Sequence, residues 1–487
     1  MMTLLLPLML ACSGKDTPSE SGDPTDTTPD TTDDTETGTP SGPGDDSGTD
    51  TDPVFDDCLE IDPAPIGEPA LVLTGERPTN LLIISIDTLN ISRLSRYGGP
   101  ADAPTLSAYL SEGLTLDNHF ACAPWTYPGI LCSMSGQSNL ELGFVPTVYG
   151  GVIPGPAPES NSFLPDLLKA EGYGTQLVTA NPYLSSLYTV GRGFDQEITS
   201  TSGFPAGPVF DEGRAMVSRL QSAGEPWYAH VHLLDPHASY LPPTEYREDY
   251  YALLGDFPFD LAGDPTGIGS MLAAWGSLSE EDRALGVALI HALYDGEIAY
   301  LDDQLELFMA DMDAAGALDD TLVVFFSDHG EQFMEHGALG HGLSLYNGEL
   351  GAMASFWMKS GGVTPAAWTG PTDQRDIVPT IFDALDLPAQ DAWSGQVAGT
   401  ADPGRALMSL RFHGTDSEQA LIRDGNKLIF SWGEAPEYYD LAADYDEEMD
   451  IFDLSVPQHS CDWEAIQAQT ADFVELYPEY ADSAEGR

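Results

Sequence analysis

Basic residues are scarce in this 487-residue chain: 17 Lys and Arg stand against 79 Asp and Glu, a formal net charge of −62. Nucleic acid is excluded as a partner on bulk charge, because its recognition needs a basic face. Only four lysines occur (Lys15, Lys169, Lys359, Lys427), so a carboxylate-rich surface repels anions and favours solubility. Cysteine is rare as well, with five in all. No run of eighteen apolar residues occurs, so no transmembrane helix is expected. A Walker loop, a GxGxxG after a strand, HExxH and GxSxG are all missing, which removes the commoner nucleotide, zinc-protease and serine-hydrolase readings.

What is present is enough to fold. Hydrophobic residues at 42% and aromatics at 10% supply a large core that a disordered chain would lack. The length allows two to three units, or one large α/β body. Residues 1–12, MMTLLLPLMLAC, resemble a bacterial lipoprotein signal in which Cys12 becomes the lipidated first residue of the mature chain, although no Lys or Arg precedes the apolar run. Residues 13–57 hold 14 acids and one lysine among Ser, Thr, Gly and Pro, and read as a solvated, self-repelling spacer. The expectation is export to the bacterial envelope with a lipid anchor. The folded part is expected as a catalytic domain over 58–395 and a C-terminal subdomain over 396–487. Cys58, Cys122, Cys132 and Cys461 allow three pairings. The expected one joins Cys122 to Cys132, clamping the segment around Thr126, and Cys58 to Cys461, tying the start of the body to its end. Four buried thiols are the alternative.

Short β-branched and aromatic runs alternate with helical stretches: residues 81–86 (LLIISI), 176–179, 228–234 (YAHVHLL), 322–327 (LVVFFS) and 355–358. That rhythm predicts an α/β fold with a central, mostly parallel sheet flanked by helices. Ser277 followed by Glu280 reads as a capping box, opening a long helix whose apolar face runs through Ile290, Leu293, Ile298, Leu301 and Leu305. In such sheets chemistry gathers beyond the carboxyl ends of strands. Asp87 follows LLIISI, Asp235 and His237 follow YAHVHLL, and Asp328 with His329 follows LVVFFS, with His341 a short loop later. Carboxylate and imidazole donors at several strand ends predict a divalent cation, the mixture favouring Zn or Mn over Mg.

From about Arg77 to Asp450 the chain also carries, in order, NLLIISIDTL, PTLSAYLSEGL, ACAPWTYPGILCSMSG, HLLDPH, YDGEIAYLDDQL, TLVVFFSDHGEQFMEHGALGHG, DIVPTIFDAL and EYYDLAADYDEE. This collinear set resembles the sulfatase family within the alkaline phosphatase superfamily. The resemblance implies that family's small C-terminal antiparallel sheet, with NKLIF and EYYDL as strands. It also implies one divalent ion, or two (Zn, Mn or Ca), held by Asp87, Thr126, Asp328 and His329, with Asp235, His237 and His341 around a second metal or the substrate. The substrate implied is a small anionic ester.

The resemblance departs at the nucleophile. Sulfatases carry a cysteine or serine matured to formylglycine within a Cys-x-Pro-Ser-Arg run, and here the run is Thr126-Tyr127-Pro128-Gly129-Ile130. Thr126 cannot become formylglycine, whereas a threonine hydroxyl activated by a cation can attack phosphorus and be released by water. The expectation is therefore phosphoester or phosphodiester hydrolysis with Thr126 as nucleophile. Sulfuric ester hydrolysis without formylglycine and a non-catalytic ligand-binding lipoprotein of the same fold are the alternatives. Ile130 stands where the family has Arg or His, so another group must face the substrate oxygens, and His237 and His341 are the candidates, in that role or as general acid. His232 aligns with a family histidine, although both it and His230 read equally as core residues, and His336 reads as a surface one. Trp125 is expected to pack under the nucleophile turn. A body with a net charge of −49 suits an uncharged leaving group or a zwitterionic head better than a polyanion.

Overall fold

The computed structural model describes residues 67–145, 155–199, 205–264, 266–412, 417–478 and 481. The expected signal with Cys12, the spacer 13–57 and Cys58 lie outside the described residues. In chain order the strands are β1 (Asn80–Ile86), β2 (Leu114–Phe120), β3 (Gly174–Thr179), β4 (Gln196–Thr199), β5 (Trp227–Leu233), β6 (Thr321–Ser327), a small pair β7 (Gln332–Phe333) and β8 (Leu339–Gly340), then β9 (Gly351–Trp357), β10 (Ala366–Trp368) and β11 (Thr372–Asp373). The main sheet runs β10-β2-β9-β6-β1-β5-β3-β4, with β11 also on β2. The pairs β6/β1, β1/β5, β5/β3 and β3/β4 are parallel, and β9 is antiparallel to both β2 and β6. The sheet is therefore mostly parallel, as the alternating pattern predicts.

Strand periodicity divides the core into two layers. Leu82, Ile84 and Ile86 of β1 face a layer formed with α1 (Pro104–Glu112), α4 (Ala206–Ala223), α5 (Glu248–Leu254), α6 (Gly267–Ala274) and α7 (Glu280–Ala314), the first two helices between them, α2 (Thr126–Ser135) and α3 (Leu164–Ala170), lying on the other face. Leu81 and Ile83 face that second layer with Tyr127, Ile130, Leu164 and Leu168. Ile130 is fully buried there, so the position that carries a cation in the family resemblance is apolar core in this chain.

Helix α7 starts two residues later than the sequence pattern suggested. Its N-cap is Ser279, which accepts a hydrogen bond from the Asp282 amide, whereas the Ser277 hydroxyl donates to the Ala274 carbonyl at 2.7 Å. The reason is local: Ser277 ends a preceding short turn (Trp275–Ser277), the backbone is extended at Leu278 and Ser279, and of these two only Ser279 has a side-chain oxygen to cap the helix.

The expected Cys122–Cys132 bridge is not formed. Both are free, buried thiols, neighbours that hydrogen-bond to one another, and Asn139 donates to the Cys132 sulfur at 3.5 Å. Burial, then Cys132, pushes the Cys122 thiol well above its usual range, which suppresses the thiolate that oxidation needs. Cys461 is disulfide-bonded, and since the other described cysteines are free its partner lies outside the described residues.

The C-terminal part is a four-stranded antiparallel sheet, β12 (Leu407–Arg411), β13 (Glu418–Arg423), β14 (Asn426–Ser431) and β15 (Glu437–Asp440), covered by the helix Pro457–Leu476. It shares an apolar cluster with Phe120, Leu345 and Leu350. Buried Lys427 of β14 reaches Glu447 at 2.7 Å and the Asn347 side chain at 2.9 Å, pinning the segment that follows the His341 loop.

Candidate active site

Strands β6, β1, β5 and β3 are adjacent and parallel, so the residues just past their carboxyl ends meet at one edge. Asp87 leaves β1, Asp328 and His329 leave β6, and Asn181 follows β3. Thr126 comes from the other side, as the first residue of α2. All five are buried. Thr126 Oγ1 lies 3.4 Å from both Asp87 Oδ1 and His329 Nε2. His329 Nε2 is 3.6 Å from Asp87 Oδ1 and 3.6 Å from Asp328 Oδ2. These are the spacings of donors that share one cation at about 2.0–2.2 Å.

The surroundings aim these atoms. His329 Nδ1 donates to the Gly330 carbonyl at 2.8 Å, which leaves Nε2 with a free lone pair. Asp328 Oδ1 accepts from the Thr88 and His329 amides at 3.1 and 2.9 Å, while its buried Oδ2 has no hydrogen-bond partner among the described residues. Burial, then the neighbouring Asp87 carboxylate, pushes Asp328 well above the usual carboxylate range. Burial alone would also raise Asp87, but the His232 hydrogen bond and the nearby imidazoles hold it low. Burial keeps His329 neutral. Two close buried carboxylates, a bare imidazole nitrogen and an orphaned oxygen form a donor set that fits a divalent cation, and Asp87, Asp328, His329 and Thr126 would hold it.

Above this group sit two more imidazoles. The His341 ring centroid is 4.6 Å from that of His329 and 4.8 Å from that of His237. His341 Nδ1 is 2.9 Å from Glu331 Oε1, a pair whose carboxylate is wholly buried. Burial opposes protonation of His341, but Glu331 prevails and raises it to about 9. Glu349 accepts from the Leu343 and Ser344 amides at 3.0 and 2.9 Å, which fixes the loop that carries His341. His237 is half-buried, with Nδ1 on the Ala238 carbonyl at 2.6 Å.

Not every expected residue joins the group. Asp235 turns into the helical layer, toward Glu297 of α7 and the Ala206 amide at the start of α4, and among the described residues its buried Oδ2 has no hydrogen-bond partner. His232 reaches Asp87 Oδ2 at 3.3 Å, whereas His230 stops one residue short, on Ser85. His336 stacks on Tyr346 and meets the Asp446 carbonyl, outside the group. Trp125 packs edge-on to Tyr127 and Tyr183 beside the turn that carries Thr126. Lys359 pairs with Asp313 and Asp319 near the end of α7. Sequence reasoning passed over Asn181, whose Nδ2 donates to Asp87 Oδ2 at 2.6 Å and lies 3.4 Å from Thr126 Oγ1. Its position two residues past β3 was the available signal. Glu331, in the loop after β6, was passed over too.

Comparison with known proteins agrees with this geometry. The family model described as Sulfatase matches residues 79–387. The choline-sulfatase of Rhizobium meliloti (strain 1021) is 24% identical over 445 residues, spanning 76% of this chain and 82% of that protein. Among solved structures, BT4656 in complex with its substrate D-glucosamine-2-N,6-O-disulfate superposes with a TM-score of 0.66 at 16% identity, covering 83% of this chain and all of that one. The phosphonate monoester hydrolase of Agrobacterium radiobacter does so with a TM-score of 0.58 at 19% identity, covering 82% and 96%.

Proposed function

The chain belongs to the sulfatase family and is an ester hydrolase of the alkaline phosphatase superfamily, and from that premise we propose that Thr126 is its nucleophile and that phosphate or phosphonate esters are its preferred substrates. The observation that carries the reading is the place of Thr126 Oγ1, within 3.4 Å of both Asp87 and His329 and at the first turn of α2. When bound, a divalent cation such as Zn or Mn supplies Lewis-acid stabilisation and favours deprotonation of a hydroxyl.

The chain's own groups do the rest. The Thr126 hydroxyl faces Asp87 Oδ1, and Asn181 Nδ2 donates to Asp87 Oδ2 and toward Thr126 Oγ1, fixing the hydroxyl's approach. The amides at the start of α2 favour negative charge on the oxygens of the ester. Protonated His341, held by Glu331, supplies the cation that Ile130 does not. His237, anchored through Nδ1, presents its other nitrogen to the leaving oxygen as general acid. The phosphorylated threonine so formed is open to attack by water, while a sulfated one lacks the hydrated aldehyde whose second hydroxyl would expel sulfate. An intact donor set argues against a non-catalytic relative. Export and a lipid anchor at Cys12 belong to the same proposal, supported by the residue order of 1–14.

The test is turnover of an aryl phosphate monoester, aryl phosphodiester, aryl phosphonate ester and aryl sulfate by the metal-supplemented protein, with Thr126→Ala in parallel. Phosphoester or phosphonate turnover that vanishes in the variant is expected. Sulfate turnover exceeding it would overturn the choice of substrate class, and it is the second reading, favoured by the sulfatase name of the Rhizobium meliloti relative.

A further inference from the structure

Behind the candidate cation ligands runs a buried file of polar side chains that the reaction does not touch. Tyr228, His230 and His232 alternate along β5, and the register sets Ser85 of β1 opposite His232. All four side chains are fully buried and face the layer of α2. Tyr228 Oη lies 3.1 Å from His230 Nδ1, His230 Nε2 lies 2.8 Å from Ser85 Oγ, Ser85 Oγ lies 2.7 Å from His232 Nδ1, and His232 Nε2 lies 3.3 Å from Asp87 Oδ2. A neutral imidazole has one donor and one acceptor nitrogen, and a hydroxyl has one hydrogen. With the Ser85 hydrogen used within the file, fixing any one proton fixes them all, and only two directions exist.

We infer that Ser85, His230 and Tyr228 are positioning residues whose hydrogen bonds run from the phenol toward Asp87 and, through His232, reserve Asp87 Oδ1 for the cation. In this direction Tyr228 donates to His230 Nδ1, His230 Nε2–H donates to Ser85, Ser85 donates to His232 Nδ1, and His232 Nε2–H donates to Asp87 Oδ2. The opposite direction needs a proton on Asp87 and turns the Tyr228 hydrogen toward Met134 Sδ, 3.7 Å away. A thioether is a much weaker acceptor than an imidazole nitrogen, and the nitrogen is nearer. Asn181 Nδ2 already donates to the same Asp87 Oδ2 at 2.6 Å, so that oxygen is the doubly bonded one and Oδ1 is left facing Thr126 and His329. Buried second partners of this kind orient ligands and raise metal affinity.

The inference rests on reading Asp87 as a cation ligand, and the two can fail separately. The full chain, with ring-15N-labelled histidines assigned by His230→Asn and His232→Asn, is examined by NMR without added metal. Both histidines are expected to be neutral with hydrogen on Nε2. Hydrogen on Nδ1 of both, or an imidazolium at either, overturns the inference, and this readout needs no variant of Ser85 to fold. Mn(II) titration read by electron paramagnetic resonance is then compared between wild type and Ser85→Ala. The affinity is expected to fall about 10–100-fold, and less in Tyr228→Phe, which removes only the far bond. An unchanged affinity in a folded Ser85→Ala overturns the positioning role. Failure of the wild type to bind Mn(II), with the expected tautomers present, overturns the cation reading and with it the purpose assigned to the file.

Discussion

Glu331→Gln is the substitution that most sharply separates a charged from a neutral His341. The carboxylate sits 2.9 Å from His341 Nδ1 and is fully buried, so solvent screens the pair little. Raising an imidazole from 6.5 to about 9 corresponds to about 3 kcal/mol favouring the charged form. Without that carboxylate, burial works against the weaker pull of Asp87 and Glu349, and His341 falls back toward the ordinary imidazole value of about 6.5. If the reaction needs protonated His341, kcat/KM at pH 8 drops about 30-fold, because the protonated fraction falls from about nine-tenths to about 3%, whereas at pH 6 it changes less than about twofold. A bound cation lowers the titration of wild type and variant alike, which moves this window to lower pH and leaves the order of the two proteins unchanged. The assay is a pH profile from pH 5.5 to 9.5 with the aryl ester that the wild type turns over. The stability profile has a matching sign. A histidine raised on folding contributes stability that is fully present below pH 6.5 and is lost as pH rises through about 9. The thermal midpoint of the wild type should therefore fall across that window more steeply than that of the variant. Superimposable pH profiles for the two proteins would refute a charged His341 in the reaction.

Other outcomes follow from the same geometry. Asn181→Ala, which removes the donor shared by Asp87 and Thr126, is expected to lower kcat by about 10–100-fold in steady-state assays with little change in the melting temperature. Ser279→Ala should cost about 1 kcal/mol in urea unfolding, whereas Ser277→Ala should fall within about 0.5 kcal/mol of wild type, which tests the placement of the α7 cap. Lys427→Met leaves buried Glu447 without its counter-charge, and a loss of about 3–5 kcal/mol is expected by equilibrium unfolding at neutral pH.

Much of the architecture is written locally. Runs such as LLIISI and LVVFFS, short, rich in β-branched or aromatic residues and set between helical stretches, read as buried strands, and a parallel sheet then forces the residues after β1 and β6 to one edge, so Asp87, Asp328 and His329 were readable as a group. Period-two alternation likewise put His230 and His232 on one face of a strand, whereas only the sheet register set Ser85 beside them. What sequence could not carry is side-chain direction after a strand ends. Asp235 follows β5 as regularly as Asp87 follows β1, yet it turns to Glu297 on a helix more than sixty positions away. Asn181 and Glu331 have no distinguishing neighbours, and gain their roles only because β3 lies two strands from β1 and the β6 loop folds back toward His341. The two thiols at positions 122 and 132 are equally beyond a spacing rule, since burial and the hydrogen bonds around them decide whether a thiolate forms. The sequence alone determined which strands and donor types exist, because periodicity and residue chemistry are local. Which donors come together, and that a buried carboxylate stands against His341, was decided by tertiary contacts between segments far apart in the chain.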